Sequence, residues 1–135
     1  VYKRQASGMD LMAYIDKSIE LKPGESCLVP TGLSVAFPKE YEIQIRPRSG
    51  LAAKSNISVL NTPGTIDSDY RGEILVMLIN HSKKDFEVVR GMRIAQMVIS
   101  KIEQFNLISV DELNTTDRGK DGFGSTGIST RKDEE

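Results

Sequence analysis

The chain has 135 residues, enough for one domain of ordinary size. Its 18 basic and 19 acidic residues leave a net charge of −1, which excludes a general nucleic-acid-binding surface but not a few well-placed cations around one small anion. A single cysteine, Cys27, excludes an internal disulfide and points to a reducing, cytoplasmic setting, and the longest purely apolar run, Ile74 to Ile79, is too short to span a bilayer.

The first five residues, VYKRQ, can be encoded by GTG TAT AAG AGA CAG, the end of a common sequencing-library transposon adaptor. Residues 1–5 are therefore read as an assembly artefact, with the natural gene starting further upstream and a targeting peptide there left open. SGMDLMA, residues 7–13, sets one acid, Asp10, between apolar neighbours. SCLVPTGLSVAF is rich in β-branched and apolar residues and is broken by Pro30-Thr31-Gly32; Cys27 within it reads as a buried structural thiol. YEIQI alternates as a half-buried strand does. SGLAAKS, after Pro47-Arg48, is the one helical stretch, barely two turns long, with Ser49 placed as its N-cap. EILVMLIN is apolar on both faces, which predicts that both are covered, and DFEVV and MRIAQMVISKI add two strands separated by Arg90-Gly91. The turns LKPGES, FPKEY, NTPGT and NHSKK recur at short intervals, so the expected fold is all-β, a sandwich or barrel. After about Asn114 the chain turns polar and glycine-rich, which predicts a core domain over 6–114 and a flexible arm over 115–135.

Five segments could carry chemistry. RPRSGLA, residues 46–52, puts an Arg, a hydroxyl and a glycine at a helix start, a setting that suits phosphate. NTPGTIDSDYRGEI, residues 61–74, places two acids around a serine, beside Tyr70; a carboxylate on a rigid hairpin can act as general base towards water, although Asp, Ser and Gly are also ordinary turn residues. RGKDGFGSTG, residues 118–127, has glycines beside hydroxyls and a lone aromatic, Phe123, suited to stacking on a base; its spacing does not fit the P-loop pattern. Asp10 alone reads as a turn or surface acid, and GMRIAQMVI, residues 91–99, reads as a core strand with Arg93 and Gln96 facing solvent.

In this order the five segments resemble the five motifs of the trimeric dUTPase (deoxyuridine triphosphatase) family, over residues 7 to 127. The resemblance implies an all-β jelly roll, with three subunits forming three shared active sites, each drawing on all three chains. It implies hydrolysis of dUTP to dUMP and pyrophosphate, an activity that keeps uracil out of DNA and supplies dUMP for thymidylate synthesis. Asp67 would be the general base that deprotonates water for attack on the α-phosphorus. Tyr70 would stack under the deoxyribose and leave no room for a 2′-hydroxyl. Asn61 and the backbone near Gly64, Thr65, Ile66 and Leu75 would pair with the uracil edge. Arg48, Ser49, Gly50 and Gln96 would hold the phosphates, Arg118, Gly124, Ser125 and Thr126 would close over them, and Phe123 would cover the uracil. Asp10 would hydrogen-bond waters of a Mg²⁺ ion chelated by the triphosphate.

The family's first strand, expected before SGMDLMA, is absent or truncated; Met9 stands where the family often has another large residue; and ISTRKDEE runs past the last motif. A dCTP deaminase, a relative on the same fold, would carry a different arginine-serine motif. A non-catalytic nucleotide binder of the same fold is the alternative from another class. No nucleic-acid or membrane partner is expected beside dUTP and the homotrimer.

Overall fold

The computed structural model describes residues 6–121, in two compact units divided after Gln104. Among its described residues the first unit carries nine strands and one helix: β1 (Gly8–Met12), β2 (Ile19–Leu21), β3 (Ser26–Pro30), β4 (Tyr41–Arg46), α1 (Ser49–Ser55), β5 (Ile57–Val59), β6 (Gly64–Ile66), β7 (Leu75–Asn80), β8 (Phe86–Val88) and β9 (Arg93–Lys101). They form a four-stranded sheet in the order β1-β9-β4-β6, a three-stranded sheet β3-β7-β5 and a pair β2-β8, all antiparallel. No two consecutive strands pair: the chain crosses between sheets at every turn, the wrapping of an all-β jelly roll.

Alternation explains which face each strand buries. Ile43 and Ile45 of β4, Val76 and Leu78 of β7 and Leu11 of β1 point into one core with Val29, Val59, Ile74 and Val88. Two polar residues are buried, Thr31 and Asn80, and Asn80 is fully so. Its Nδ2 donates to the carbonyls of Leu21 and Lys84, both at 2.8 Å, and its Oδ1 accepts from Ser82 N at 2.9 Å. Cys27 is half-buried, and burial pushes its thiol pKa up, away from nucleophilic character.

The structure corrects four local expectations. Arg48, not Ser49, is the N-cap of α1; Ser49 is the first helical residue, and no side chain caps the helix. The helix ends where Asn56 adopts the left-handed conformation at φ 53° and returns its N–H to the last turn. LSVAF is not a strand: β3 stops at Pro30, and Gly32 turns the chain at φ 70°. EILVMLIN has one covered face in the single chain: Val76, Leu78 and Asn80 are buried, whereas Leu75 is exposed and Met77 and Ile79 are half-buried. The TIDSDYRG segment is no hairpin, because β6 lies in the four-stranded sheet and β7 in the three-stranded one; the loop between them is a crossover.

The second unit has no strand among its described residues, and Phe105, Leu107, Ile108, Val110 and Leu113 are all exposed. The last strand among the described residues ends at Lys101.

Candidate active site

The loop from Asp67 to Glu73 owes its position to the crossover. It leaves the four-stranded sheet at Ile66 and enters the three-stranded sheet at Leu75, so it roofs the gap between them. Beneath it is a cavity of about 220 Å³ lined by Ile45 of β4, Val59 of β5, Gly64, Thr65 and Ile66 of β6, and Leu75 and Met77 of β7. Asn61, Asp67, Tyr70, Glu73 and Ile74 complete the wall.

Three features of this cavity have chemical meaning. First, among the described residues β6 is an edge strand, paired only with β4 through Ile43–Ile66, Gln44–Thr65 and Ile45–Gly64, so its outer edge carries backbone donors and acceptors with no strand partner there. Second, Gly64 is buried, and a Cβ there would lie 3.2 Å from Asn61 Nδ2 and 3.4 Å from Ile45 Cβ; its bareness lets the Asn61 amide pack close to that edge. Third, Asp67 and Tyr70 belong to one turn, closed by Tyr70 N donating to Asp67 O at 3.1 Å. Arg71 Nη1 reinforces it by donating to the carbonyls of Ser68, at 2.7 Å, and Tyr70, at 2.9 Å. Among the described residues the ionisable acids or bases in the lining besides Tyr70 are the carboxyls of Asp67 and Glu73, and no Lys, Arg or His lines the cavity.

The cations gather elsewhere, on the outward face of the four-stranded sheet. Asp10 of β1 stands opposite Gln96 of β9, which stands opposite Arg46 of β4. Arg48 Nε donates to Asp10 Oδ1 at 2.9 Å, and Arg93 Nε lies 3.6 Å from Asp10 Oδ2. Gln96 Nε2 donates to Pro47 O at 3.0 Å, tying β9 to the entry of α1. Gly8 lies beside it: a Cβ there would fall 2.5 Å from Gln96 Oε1, so the Gln96 side chain would have to shift. Ser49 and Gly50 follow Arg48 on α1, both exposed, with open space around Gly50.

A β-bulge completes this cluster. Leu11 pairs with Ala95 but Met12 pairs with Arg93, so Ile94 is an extra residue in β9, and Ile94 and Ala95 are both buried. Strict alternation from the outward-facing Gln96 would aim Arg93 into the core. The bulge restores it to the outward face, beside Asp10. Arg93 reads from the sequence as merely solvent-facing; the buried pair Ile94-Ala95 marks the break in period, but that mark needs the pairing to be read.

The dUTPase family profile matches residues 2–127. A deoxyuridine 5′-triphosphate nucleotidohydrolase of Treponema denticola is 57% identical over 128 residues, covering 94% of this chain and 89% of the relative. The chain belongs to the dUTPase family. Solved dUTPase structures share the fold: a point mutant of Staphylococcus bacteriophage 80alpha dUTPase with dUpNHpp superposes with a TM-score of 0.84 at 23% identity, covering 95% of this chain and 90% of that one. A point mutant of the dUTPase from phage phi11 of S. aureus, described for its coordination of a structural Mg(II) ion, gives 0.74 at 22% identity, with coverage of 83% and 88%.

Of the residues expected from the dUTPase motifs, Asn61, Gly64, Thr65, Ile66, Asp67, Tyr70 and Leu75 come together around the cavity, and Asp10, Arg48 and Gln96 come together on the outward sheet face. The lining of the cavity includes none of the second group. Arg118 lies in the second unit, where its Nε donates to Asp121 O at 2.9 Å. Phe123, Gly124, Ser125 and Thr126, like residues 1–5, lie outside the described residues. Glu73, given no role on sequence grounds, both lines the cavity and accepts a hydrogen bond from Gly32 N at 2.7 Å.

Proposed function

We propose that this chain hydrolyses dUTP to dUMP and pyrophosphate, with Asp67 as the general base. The observation that carries the reading is the cavity itself, where a water-accessible carboxylate, an aromatic ring and an unpaired strand edge share one wall. The edge of β6 from Gly64 to Ile66, with Asn61, offers alternating donors and acceptors to a uracil edge. Cytosine presents the opposite pattern at its exocyclic position, and a mismatched buried polar group is costly. Tyr70 packs against the deoxyribose. Asp67 takes a proton from water, whose oxygen bonds the α-phosphorus as the bond to the β-phosphate oxygen breaks and pyrophosphate leaves.

At about 220 Å³ the cavity is smaller than the roughly 300–1,000 Å³ of pockets that take whole ligands, so it suits the nucleoside rather than the triphosphate. Its two carboxyls would also repel phosphates. The phosphates fit the other cluster, where Arg48, Ser49, Gly50 and Gln96 face outward. Arg118 and residues 123–126 serve the same end by closing over the nucleotide, with Phe123 on the base. Two half-sites on different surfaces favour assembly: in a homotrimer the nucleoside cavity of one copy meets the phosphate cluster of another and the arm of a third. The half-open face of β7 and the exposed apolar residues 105–113 are surface for such contacts.

Among the described residues no group of three His, Cys, Asp or Glu could ligate a metal directly. A single carboxylate does fit an ion that arrives with the triphosphate and keeps its waters, so Asp10 would hold those waters. Mg²⁺ so bound would neutralise phosphate charge. The reaction supplies dUMP for thymidylate synthesis and limits uracil in DNA, in the cytoplasm.

Pyrophosphate release from dUTP with Mg²⁺ tests the assignment. Turnover of dUTP with none of dCTP is the expected result. Conversion of dCTP to dUTP would identify a deaminase, and dUTP binding without turnover by the folded, assembled protein would identify a non-catalytic binder.

A further inference from the structure

We propose that Glu73 is a positioning residue for sugar discrimination, holding the ring of Tyr70 against Gly72 so that a 2′-hydroxyl is excluded; this rests on the reading that Tyr70 packs against the sugar. The hydrogen bonds of Tyr70 N and Arg71 Nη1 stay within the loop, so they set its shape but not its place. Its place is set by ties to the turn after β3. Gly32 N donates to Glu73 Oε1 at 2.7 Å, Thr31 Oγ1 donates to Ile74 O at 2.7 Å, and Ile74 N donates to Leu33 O at 2.8 Å. Of the residues in these ties only Glu73 also holds the tyrosine, since its carbonyl accepts from Tyr70 Oη at 2.9 Å. One residue therefore joins the ring to the body of the fold at both its carboxylate and its carbonyl.

Two glycines make the arrangement possible. Gly32 sits at φ 70°, a conformation other residues rarely adopt, and there its N–H meets the carboxylate. At Gly72 a Cβ would lie 2.6 Å from Tyr70 Cζ and 3.0 Å from Cε2, so the ring rests on bare backbone. Tyr70 is thus backed by Gly72, held at its hydroxyl and open on the cavity side. Steric exclusion of one hydroxyl requires a wall that does not yield by an ångström, and a ring on a surface loop is rigid only if its support is.

The test is the ratio of kcat/KM for dUTP to that for UTP, measured on the full chain and its variants. Glu73→Ala and Gly72→Ala should each lower the ratio by about tenfold or more, the scale of one charge-assisted hydrogen bond or a displaced ring. Glu73→Gln should keep it within about threefold, because its amide oxygen accepts the same Gly32 N–H. A proportional loss on both substrates, with the ratio unchanged, would mean a merely structural role and overturn the proposal. If Glu73→Ala does not fold, Gly72→Ala and Tyr70→Phe, which deletes only the hydroxyl, decide: an unchanged ratio in both overturns it. A wild-type chain that turned over UTP as well as dUTP would overturn the sugar reading itself, whereas a discriminating wild type with equally discriminating variants overturns only the role of Glu73.

Discussion

Asp67 is exposed at the rim of its cavity, and Tyr70 is tied to it by a single turn. If that carboxylate is the base, Asp67→Asn should reduce kcat for dUTP by about 10²–10⁴-fold, the usual worth of general acid–base catalysis. Affinity for a non-hydrolysable dUTP analogue should change little, since the amide fills the same space; equal kcat in the variant would remove Asp67 from the mechanism. Arg93 is the residue-scale counterpart on the other surface. It shares Asp10 with Arg48 at 3.6 Å and its side chain is 49% exposed, so solvent screens it. Arg93→Ala should therefore raise KM for dUTP by about tenfold while kcat moves far less, because a partly exposed cation contributes binding more than transition-state selectivity. Steady-state kinetics of the variant at fixed ionic strength separates the two terms, and an unchanged KM would leave Arg93 an ordinary surface cation.

At the scale of elements, the crossover between β6 and β7 and the bulge in β9 shape the cavity and the sheet-face cluster. The first puts Asp67 and Tyr70 between sheets rather than at a hairpin tip, and the second returns Arg93 to the face of Asp10. The loop after β7 depends on Asn80, whose three hydrogen bonds join Leu21 and residues 82–84 to its buried amide. Asn80→Ala would take the side-chain donor from Leu21 O and the acceptor from Ser82 N, while Lys84 O keeps Ser82 Oγ, and should cost about 2–3 kcal/mol of stability. Urea unfolding measures this, and a variant with the wild-type midpoint would show that water replaces the amide without loss.

For the whole molecule, no cation lines the cavity among the described residues, and the cluster of Asp10, Arg48 and Gln96 lies outside that lining. The open face of β7 and five exposed large apolar side chains between residues 105 and 113 are surface that a lone copy leaves in water. Analytical ultracentrifugation should accordingly find a trimer at micromolar concentration. A folded monomer that turned over dUTP would show that one copy unites both half-sites.

Much of the local structure follows from the sequence alone. The two-residue period of YEIQI buries Ile43 and Ile45, SGLAAKS forms the one helix among the described residues, and PRSGLA, TIDSDYRGEI, RIAQM and RGKDGFGSTG together are specific enough to name the family before any geometry. Such features are short-range, and a few neighbouring residues decide them. What tertiary structure alone decided is where these pieces meet. No two consecutive strands pair, so every register depends on residues far apart in the chain, and local periodicity holds no record of the partner. Hence the mistaken hairpin at TIDSDYRG, the solvent-facing Arg93 whose place beside Asp10 depends on a bulge, and the unassigned Glu73, whose use depends on Gly32, 41 residues away. Asp67 can be picked out from its motif, but the cavity that surrounds it arises because two sheets, stacked to bury their apolar faces, leave an edge strand open beneath the loop.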